Sequence, residues 1–585
     1  MSTVPVLEQQ RVETARAGAP GPAREVGAWG GWRAILLALV AGAVLVVHLE
    51  VPAYFDNEGR YAAVAREMVL SHDYVTPTMD GTLFLNKPPL TYWLAAATFR
   101  VFGFSEWGRL VSVLAGMVVL FATCRLGALL WGERAGLLAG VVLATTIGFA
   151  VESRILRPDM TMAATVTLAM LCWVQVMRGH SRFLWGFWAA LGVGMLAKGF
   201  VPIVLVGIPV VAVTLRDHGW RGVWRVRPLL GLGVLAAIVL PWHVLVSLEH
   251  RGFAWDYVVN QHLLFFLDKK LPRDSEGDPL LPFLGAFVFR TSPWVVLLPI
   301  TAREAYRGFR HAATPESRGT ALVWAWAVGI VAFFSFAPSR LEHYTVPAMP
   351  AVALLAARAC QRGAAGTLPP SSWRWVRSVA SIVAVAGLAL AVGGRAYLSR
   401  VYWISDMPGV LSLVVPAGVA LLVAGVGVAF VALASRARFL PAALALGALP
   451  MTAIILVAQG MVGPLFSWRP VAEAITAKVP DVEVAFESPN EYQLVGGLVF
   501  YAGRHVTLLE PPGGFTPPTY LEDLVDNMFE KRDAFERRWQ SGAWLAIVSD
   551  PTRRRDTPDG IVPAPFHVVA HFGDRWVLTN FPVGR

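Results

Sequence analysis

Apolar stretches near or above 17 residues recur along most of this chain, and they constrain its fold more than any other feature. They fall around 34–50, 110–131, 135–151, 159–177, 183–215 (a closely spaced pair), 228–248, 280–302, 320–337, 344–358, 377–394, 409–434 and 439–462. A bilayer crossing takes about 20 apolar residues, so the runs predict roughly thirteen helices. A soluble chain of 585 residues would not be 55% hydrophobic and only 15% charged. The expectation is an all-α polytopic membrane protein whose main solvent is lipid.

Three stretches depart from this pattern. Residues 1–33 hold Arg11, Arg16, Arg24 and Arg33 among Gly, Pro and Ala, with no apolar run before Ile35. They read as a disordered cytoplasmic tail leading into a signal anchor. Residues 463–585 carry 12 basic and 16 acidic residues and alternate short strand and helix patterns. WRPVAEAITAKVP predicts a helix, VEVAFE a strand, LVFYAGRHVTLL one or two strands, YLEDLVDNMFEKRDAFERRWQ an amphipathic helix, WLAIVSD a strand and FHVVAHFGDRWVLTNF a hairpin. That is a small soluble α/β domain. The transmembrane domain between them spans 34–462, and its first polar loop covers 51–107.

Arginine placement sets orientation. Alternate loops hold Arg134, Arg178 and Arg182, then Arg216 to Arg227, Arg303 to Arg318, Arg358 to Arg377, and Arg436 with Arg438. These loops are expected on the cytoplasmic side, which puts 51–107 and the C-terminal domain on the opposite face. The basic balance, +10 overall, therefore reflects membrane topology rather than nucleic-acid binding. Cys124, Cys172 and Cys360 lie widely apart in or near the apolar runs and form neither a disulfide framework nor a metal spacing.

The outer-face loops are unusually rich in charge. FDNEGRYAAVAREM at 55–68 combines Asp56, Asn57, Glu58, Arg60 and Tyr61, and NKPPLTYW at 86–93 adds Asn86 and Lys87. The i, i+4, i+7, i+8 apolar pattern from Tyr61 predicts an amphipathic helix on the membrane surface. Helix capping would account for Asp56 or Asn57, but not for Glu58 or the second cluster. Only 6 of the 50 basic residues are lysine, so Lys87, and Lys198 in LAKGF, are not background draws. Arg154, Arg157 and Asp159 occupy ESRILRPD, where Asp159 has arginine partners at hand. Tyr257, Asn260, Gln261 and His262 lie in the 249–279 loop. Ser339, Arg340, Glu342, His343 and Tyr344 form a polar knot between two helices.

Charges at a membrane face are costly unless they serve polar chemistry. Cations gathered with one or two carboxylates and many aromatics suit a lipid phosphate. No cofactor is expected, and neither a zinc spacing nor an acidic set for Mg²⁺ is present in the sequence. If the phosphate carries a sugar, a carboxylate can activate an acceptor hydroxyl while cations stabilise the leaving phosphate.

RYAAVAREM, NKPPLTYW, LAKGF, PSRLEHYTVPAMP and FYAGR resemble, in order and spacing, the polyprenyl-phosphate-dependent GT-C glycosyltransferases. Nearest in kind are the lipid A aminoarabinose transferase and bacterial members of the protein O-mannosyltransferase superfamily. The resemblance covers roughly residues 34–515. It implies a GT-C enzyme of the bacterial inner membrane, with cytoplasmic N-terminus and periplasmic C-terminal domain. Such an enzyme moves one sugar from an undecaprenyl-phosphate-like donor to an envelope lipid, glycan or protein. Glu58 matches the family's glutamate, while Asn57 stands where an aspartate is usual and Asp56 comes one residue earlier; the resemblance implies that Asp56 or Glu58 is the base. Lys87 matches the lysine near the donor phosphate. Arg60, Tyr61, Lys198, Arg340 and Tyr344 are implied lining residues, with Asn86 and His262 as further candidates. Asn86 replaces a common glutamate, which argues against an amino sugar. A lipid-linked sugar flippase and a catalytically retired homologue are the competing readings; the first would predict inverted repeats, and none is apparent.

Overall fold

The computed structural model describes residues 28–271, 277–310, 314–401, 407–489, 492–512, 514–522, 524 and 527–583. The expected tail at 1–33 lies outside these residues up to 27, and its last part is already helical, in Ala28–Val46. The protein is a multispanning helical membrane protein with a small C-terminal sheet domain.

Among the described residues, eight helices are long and apolar enough to cross a membrane, and a bent pair, Leu280–Arg290 with Trp294–Gly308, makes a ninth span. That pair turns by 92° at Thr291–Ser292–Pro293, where proline removes a backbone donor. The other expected crossings are shorter apolar helices: Gly31–Val46, Glu133–Ala144, Phe183–Lys198 and Met349–Ala364. Met349–Ala364 continues the 3₁₀ segment Glu342–Ala348, and its residues are buried against neighbouring helices on nearly every side. By contrast, Pro370–Leu398, Gly409–Leu433 and Ala437–Phe466 are only 17–22% buried within the protein and present most of their surface outward.

In the C-terminal domain the strands are β3 (Glu483–Glu487), β4 (Thr507–Leu509), β5 (Leu545–Val548), β6 (His567–Phe572) and β7 (Arg575–Thr579); β1 (Thr78–Met79) and β2 (Thr82–Leu83) form a hairpin in the first loop. The sheet order is β4-β3-β5-β7-β6, with β3 parallel to β4 and β5 and the remaining pairs antiparallel. Helix Arg469–Lys478, strands β3 and β5 and the final hairpin lie where the sequence predicts them. Two elements differ. The first part of LVFYAGRHVTLL is a helix, Gly496–Ala502, before β4, and the expected long amphipathic helix is α-helical only over Arg532–Gln540 among its described residues.

Helix Asp56–Ser71, expected to be amphipathic, is covered by the C-terminal domain. Ala62, Val64, Ala65 and Met68 share one hydrophobic core with Trp468, Leu498, Phe500 and Val577 of the C-terminal part. Contact is closest where Gly59 meets Gly497: a Cβ on Gly59 would sit 2.4 Å from the Gly497 Cα. Only glycine allows two backbones that near. The first loop and the C-terminal domain thus form one continuous layer.

Candidate active site

That layer and the helix ends beneath it enclose a chamber of about 260 Å³ lined by polar groups from seven segments. Helix Asp56–Ser71 contributes Asn57, Arg60 and Tyr61, spaced i, i+3, i+4 and so on one face. Past the β1–β2 hairpin, Phe84, Asn86 and Lys87 enter on the irregular segment that precedes Pro88–Pro89. Arg157 and Asp159 stand at the start of helix Pro158–Met177, and Lys198 ends helix Phe183–Lys198. Phe265 and Lys270, then Leu341, His343 and Tyr344, close the far side. Gln493 of the C-terminal domain completes the wall.

A second cavity of about 490 Å³ adjoins the chamber and shares Asn86, Lys87, Lys198, Phe265 and Tyr344 with it. Its other walls are mostly apolar, among them Phe200, Val204, Leu263, Phe266, Phe333 and Phe334. Cations therefore stand where a greasy groove meets a polar chamber, the geometry an amphiphile with a phosphate head requires.

Among the lining residues the chamber holds five cations, Arg60, Lys87, Arg157, Lys198 and Lys270, and a single carboxylate, Asp159. Lys198 Nζ donates to Asp159 Oδ1 at 2.6 Å and lies 4.4 Å from the centre of the Tyr344 ring. His343 Nε2 is 3.9 Å from Asp159 Oδ2; burial, aided by Arg157, pushes the imidazole well below its ordinary value, so it is neutral at pH 7. Arg60 donates to Gln493 Oε1 at 3.0 Å and to Asn57 Oδ1. Tyr61 stacks on Tyr92. Tyr520 Oη donates to Asn86 Oδ1 at 2.8 Å, so the C-terminal domain also orients the residue beside Lys87.

Six of the ten sequence candidates meet here: Arg60, Tyr61, Asn86, Lys87, Lys198 and Tyr344. Four do not. The Glu58 carboxylate turns away into the core, accepting from Arg109 Nε at 2.8 Å, Arg109 Nη2 at 2.6 Å, Leu156 N–H at 2.8 Å and Phe55 N–H at 3.1 Å. Those four donors occupy both its oxygens, and the Phe55 contact satisfies the backbone N–H at the start of the helix. Asp56 leaves the opposite side of the helix and accepts from Arg575 Nη2 at 2.8 and 2.7 Å. Burial raises its carboxyl above the ordinary value, with Arg575 pulling the other way. Arg340 caps a helix: its guanidinium donates to the carbonyls of Phe334 and Ser335 at the end of Pro315–Phe336, and to Asp278 O. His262 lines only the apolar groove. Its Nδ1 reaches Tyr257 O at 2.6 Å and its Nε2 accepts from Phe200 N–H at 3.3 Å, and burial pushes the ring down to about 4, so it is neutral and internally engaged. Gly199, at φ +65°, makes room: a Cβ there would fall 2.0 Å from His262 Nε2.

The polar chamber residues outside the ten candidates are Asn57, Arg157, Asp159, Lys270, His343 and Gln493. ESRILRPD and SRLEHY flag three of them by charge density alone. Asp159 has its shortest contact with Lys198, 39 positions away, rather than with an arginine of its own loop.

A multispanning bundle whose first loop and C-terminal domain roof a cation-rich chamber at the helix ends is the arrangement of GT-C membrane proteins, and this chain has that fold. It superposes on a crystal structure of ArnT from Cupriavidus metallidurans bound to undecaprenyl phosphate with a TM-score of 0.75 and 25% identity, covering 94% of this chain and 98% of that one. A family model described as dolichyl-phosphate-mannose-protein mannosyltransferase matches residues 86–245. Among curated relatives, an undecaprenyl phosphate-alpha-4-amino-4-deoxy-L-arabinose arabinosyl transferase of Pseudomonas fluorescens (strain Pf0-1) is 29% identical over 52% of this chain and 53% of its own. The counterpart from Pseudomonas paraeruginosa is 30% identical over 52% and 54%. In sequence the chain spans about half the length of the curated relatives it matches. In fold and sequence it resembles the polyprenyl-phosphate-dependent GT-C glycosyltransferases, the aminoarabinose transferases in particular.

Proposed function

We propose that the protein is a bacterial inner-membrane glycosyltransferase that moves one sugar from a polyprenyl-phosphate donor to an envelope acceptor such as lipid A or another glycan, lipid or protein. The observation that carries this reading is the junction of chamber and groove at Lys87 and Lys198. The polyprenyl chain lies along Phe265, Phe266, Phe333 and Phe334, the phosphate meets the two lysines, and the sugar projects toward Arg60, Asn86 and Gln493. The chamber then faces the periplasm, as the arginine-rich loops at the other helix ends suggest.

Asp159 takes the part that the resemblance implies for Asp56 or Glu58, because it is the carboxylate that lines the chamber. It accepts the proton of the acceptor hydroxyl as that oxygen bonds to the anomeric carbon. The bond from anomeric carbon to phosphate oxygen breaks with its electron pair, and the lipid phosphate leaves with one more negative charge. Lys87, Lys198 and Arg60 stabilise that charge where it develops. Without donor, the Lys198 ammonium is engaged by Asp159; once a donor phosphate shares that ammonium, the carboxylate is free to take a proton. Glu58 and Asp56 act indirectly, fixing the helix that presents Asn57, Arg60 and Tyr61.

Purified protein incubated with a panel of undecaprenyl-phosphate sugars and an envelope extract is expected to release undecaprenyl phosphate and add one sugar mass to an extract component. Donor that crosses a proteoliposome membrane unchanged, with neither product formed, would instead support a flippase.

A further inference from the structure

At the other end of the same helices lies a second charged cavity, of about 460 Å³. Helix Pro315–Phe336 lines it with Glu316 and Ser317 at its first turn, whereas its last residues, Phe333 and Phe334, line the greasy groove. Helix Met349–Ala364 begins just after Tyr344 of the chamber and ends at this cavity with Arg358, Gln361 and Arg362. Twenty-two residues of helix rise about 33 Å, so the two sites face opposite membrane surfaces.

Four arginines from two helices converge here: Arg303 and Arg307 from Leu298–Gly308, with Arg358 and Arg362. The second pair is anchored. Glu304 accepts from Arg358 Nε at 3.1 Å and Nη2 at 2.6 Å, and lies 3.3 Å from Arg362 Nη1. Arg303 and Arg307 are exposed and, among the described residues, make no hydrogen bond or ion pair. Glu304 and Glu316 leave the lining with a surplus of two positive charges. Topology alone explains arginines on this surface; it does not explain their convergence on a cavity of ligand size.

The surroundings identify the level in the bilayer. Trp131 ends helix Leu110–Trp131, donates its indole N–H to Glu316 O at 3.2 Å and lies under the Arg358 guanidinium. Tyr306 is 65% and Phe309 40% exposed beside Arg307. Exposed aromatics interleaved with arginine mark the headgroup region, where basic pockets between helices hold phosphate-bearing lipid heads.

We propose that this cavity binds the phosphate of an anionic membrane lipid, with Arg303 and Arg307 as the receiving cations and Arg358 and Arg362, held by Glu304, as its floor. The assignment is independent of the chemistry in the chamber. The test is native mass spectrometry of the full-length protein with phosphatidylglycerol or phosphatidylcholine, for wild type and Arg303→Gln/Arg307→Gln. Wild type is expected to retain phosphatidylglycerol selectively, and the double variant to lose about thirtyfold in apparent affinity. Equal retention by both proteins, or no preference over phosphatidylcholine, would overturn the site. Displacement of the lipid by millimolar inorganic phosphate would overturn the lipid assignment in favour of a soluble phosphate compound. A photoactivatable phosphatidylglycerol on wild-type protein gives a readout that does not depend on how the variant folds. Cross-links within 303–310, 314–317 and 358–367 are expected, and cross-links confined to other spans would contradict the site.

Discussion

Asp159→Asn is expected to lower the turnover of sugar transfer by about 10²- to 10⁴-fold, the range a positioned general base contributes. The substitution keeps the size of the side chain and a hydrogen-bond acceptor for Lys198, which now donates to Asp159 at 2.6 Å, so the chamber should retain its shape. Loss of the carboxylate also releases the Lys198 ammonium to the donor phosphate, so the donor KM should hold or fall while kcat collapses. That split separates lost proton transfer from a damaged binding site. Steady-state kinetics on the purified variant decide the matter; a kcat within a few-fold of wild type would remove Asp159 from the chemistry.

Glu58→Gln is expected to act on stability rather than on the reaction. Arg109 and Glu58 are both essentially inaccessible to solvent, and Arg109 also donates to Leu49 O at 3.0 Å. Removing one partner leaves a buried guanidinium without its counter-ion, which costs about 3–5 kcal/mol in comparable pairs. Pairing Glu58→Gln with Arg109→Met removes both charges and should recover part of the loss, since the two effects are not additive. Thermal unfolding of the two singles and the double measures this coupling. A Glu58→Gln protein with unchanged melting temperature and abolished transfer would return Glu58 to the role of base.

The helix itself shows why the sequence does not tell which of its residues face the chamber. Asp56, Asn57 and Glu58 are consecutive, so on a 3.6-residue repeat they point about 100° apart and cannot all face one chamber. Asn57, Arg60 and Tyr61 share a face, a signal that their spacing alone carries. The partners that hold the other two, Arg109 and Arg575, stand 51 and 519 positions away, and no local pattern announces them. Lys87 and Lys198 are conspicuous because lysine is rare in this chain. Arg340 is conspicuous too, yet the helix end at Phe334–Ser335 needs a cation for its carbonyls, and charge density cannot distinguish that need from ligand binding. Tail strands β3 and β5 are legible from their short apolar runs. The helix at Gly496–Ala502 is not, since its fit against Gly59 depends on tertiary contact.

The most direct test of the chamber and groove as a lipid-phosphate-sugar site is a cryo-electron microscopy structure of the protein with undecaprenyl phosphate. Phosphate density within hydrogen-bond reach of Lys87 and Lys198, with the chain running past Phe265 and Phe333, is the result expected. Phosphate density at a site away from both lysines, with the groove occupied by no polyprenyl chain, would contradict it.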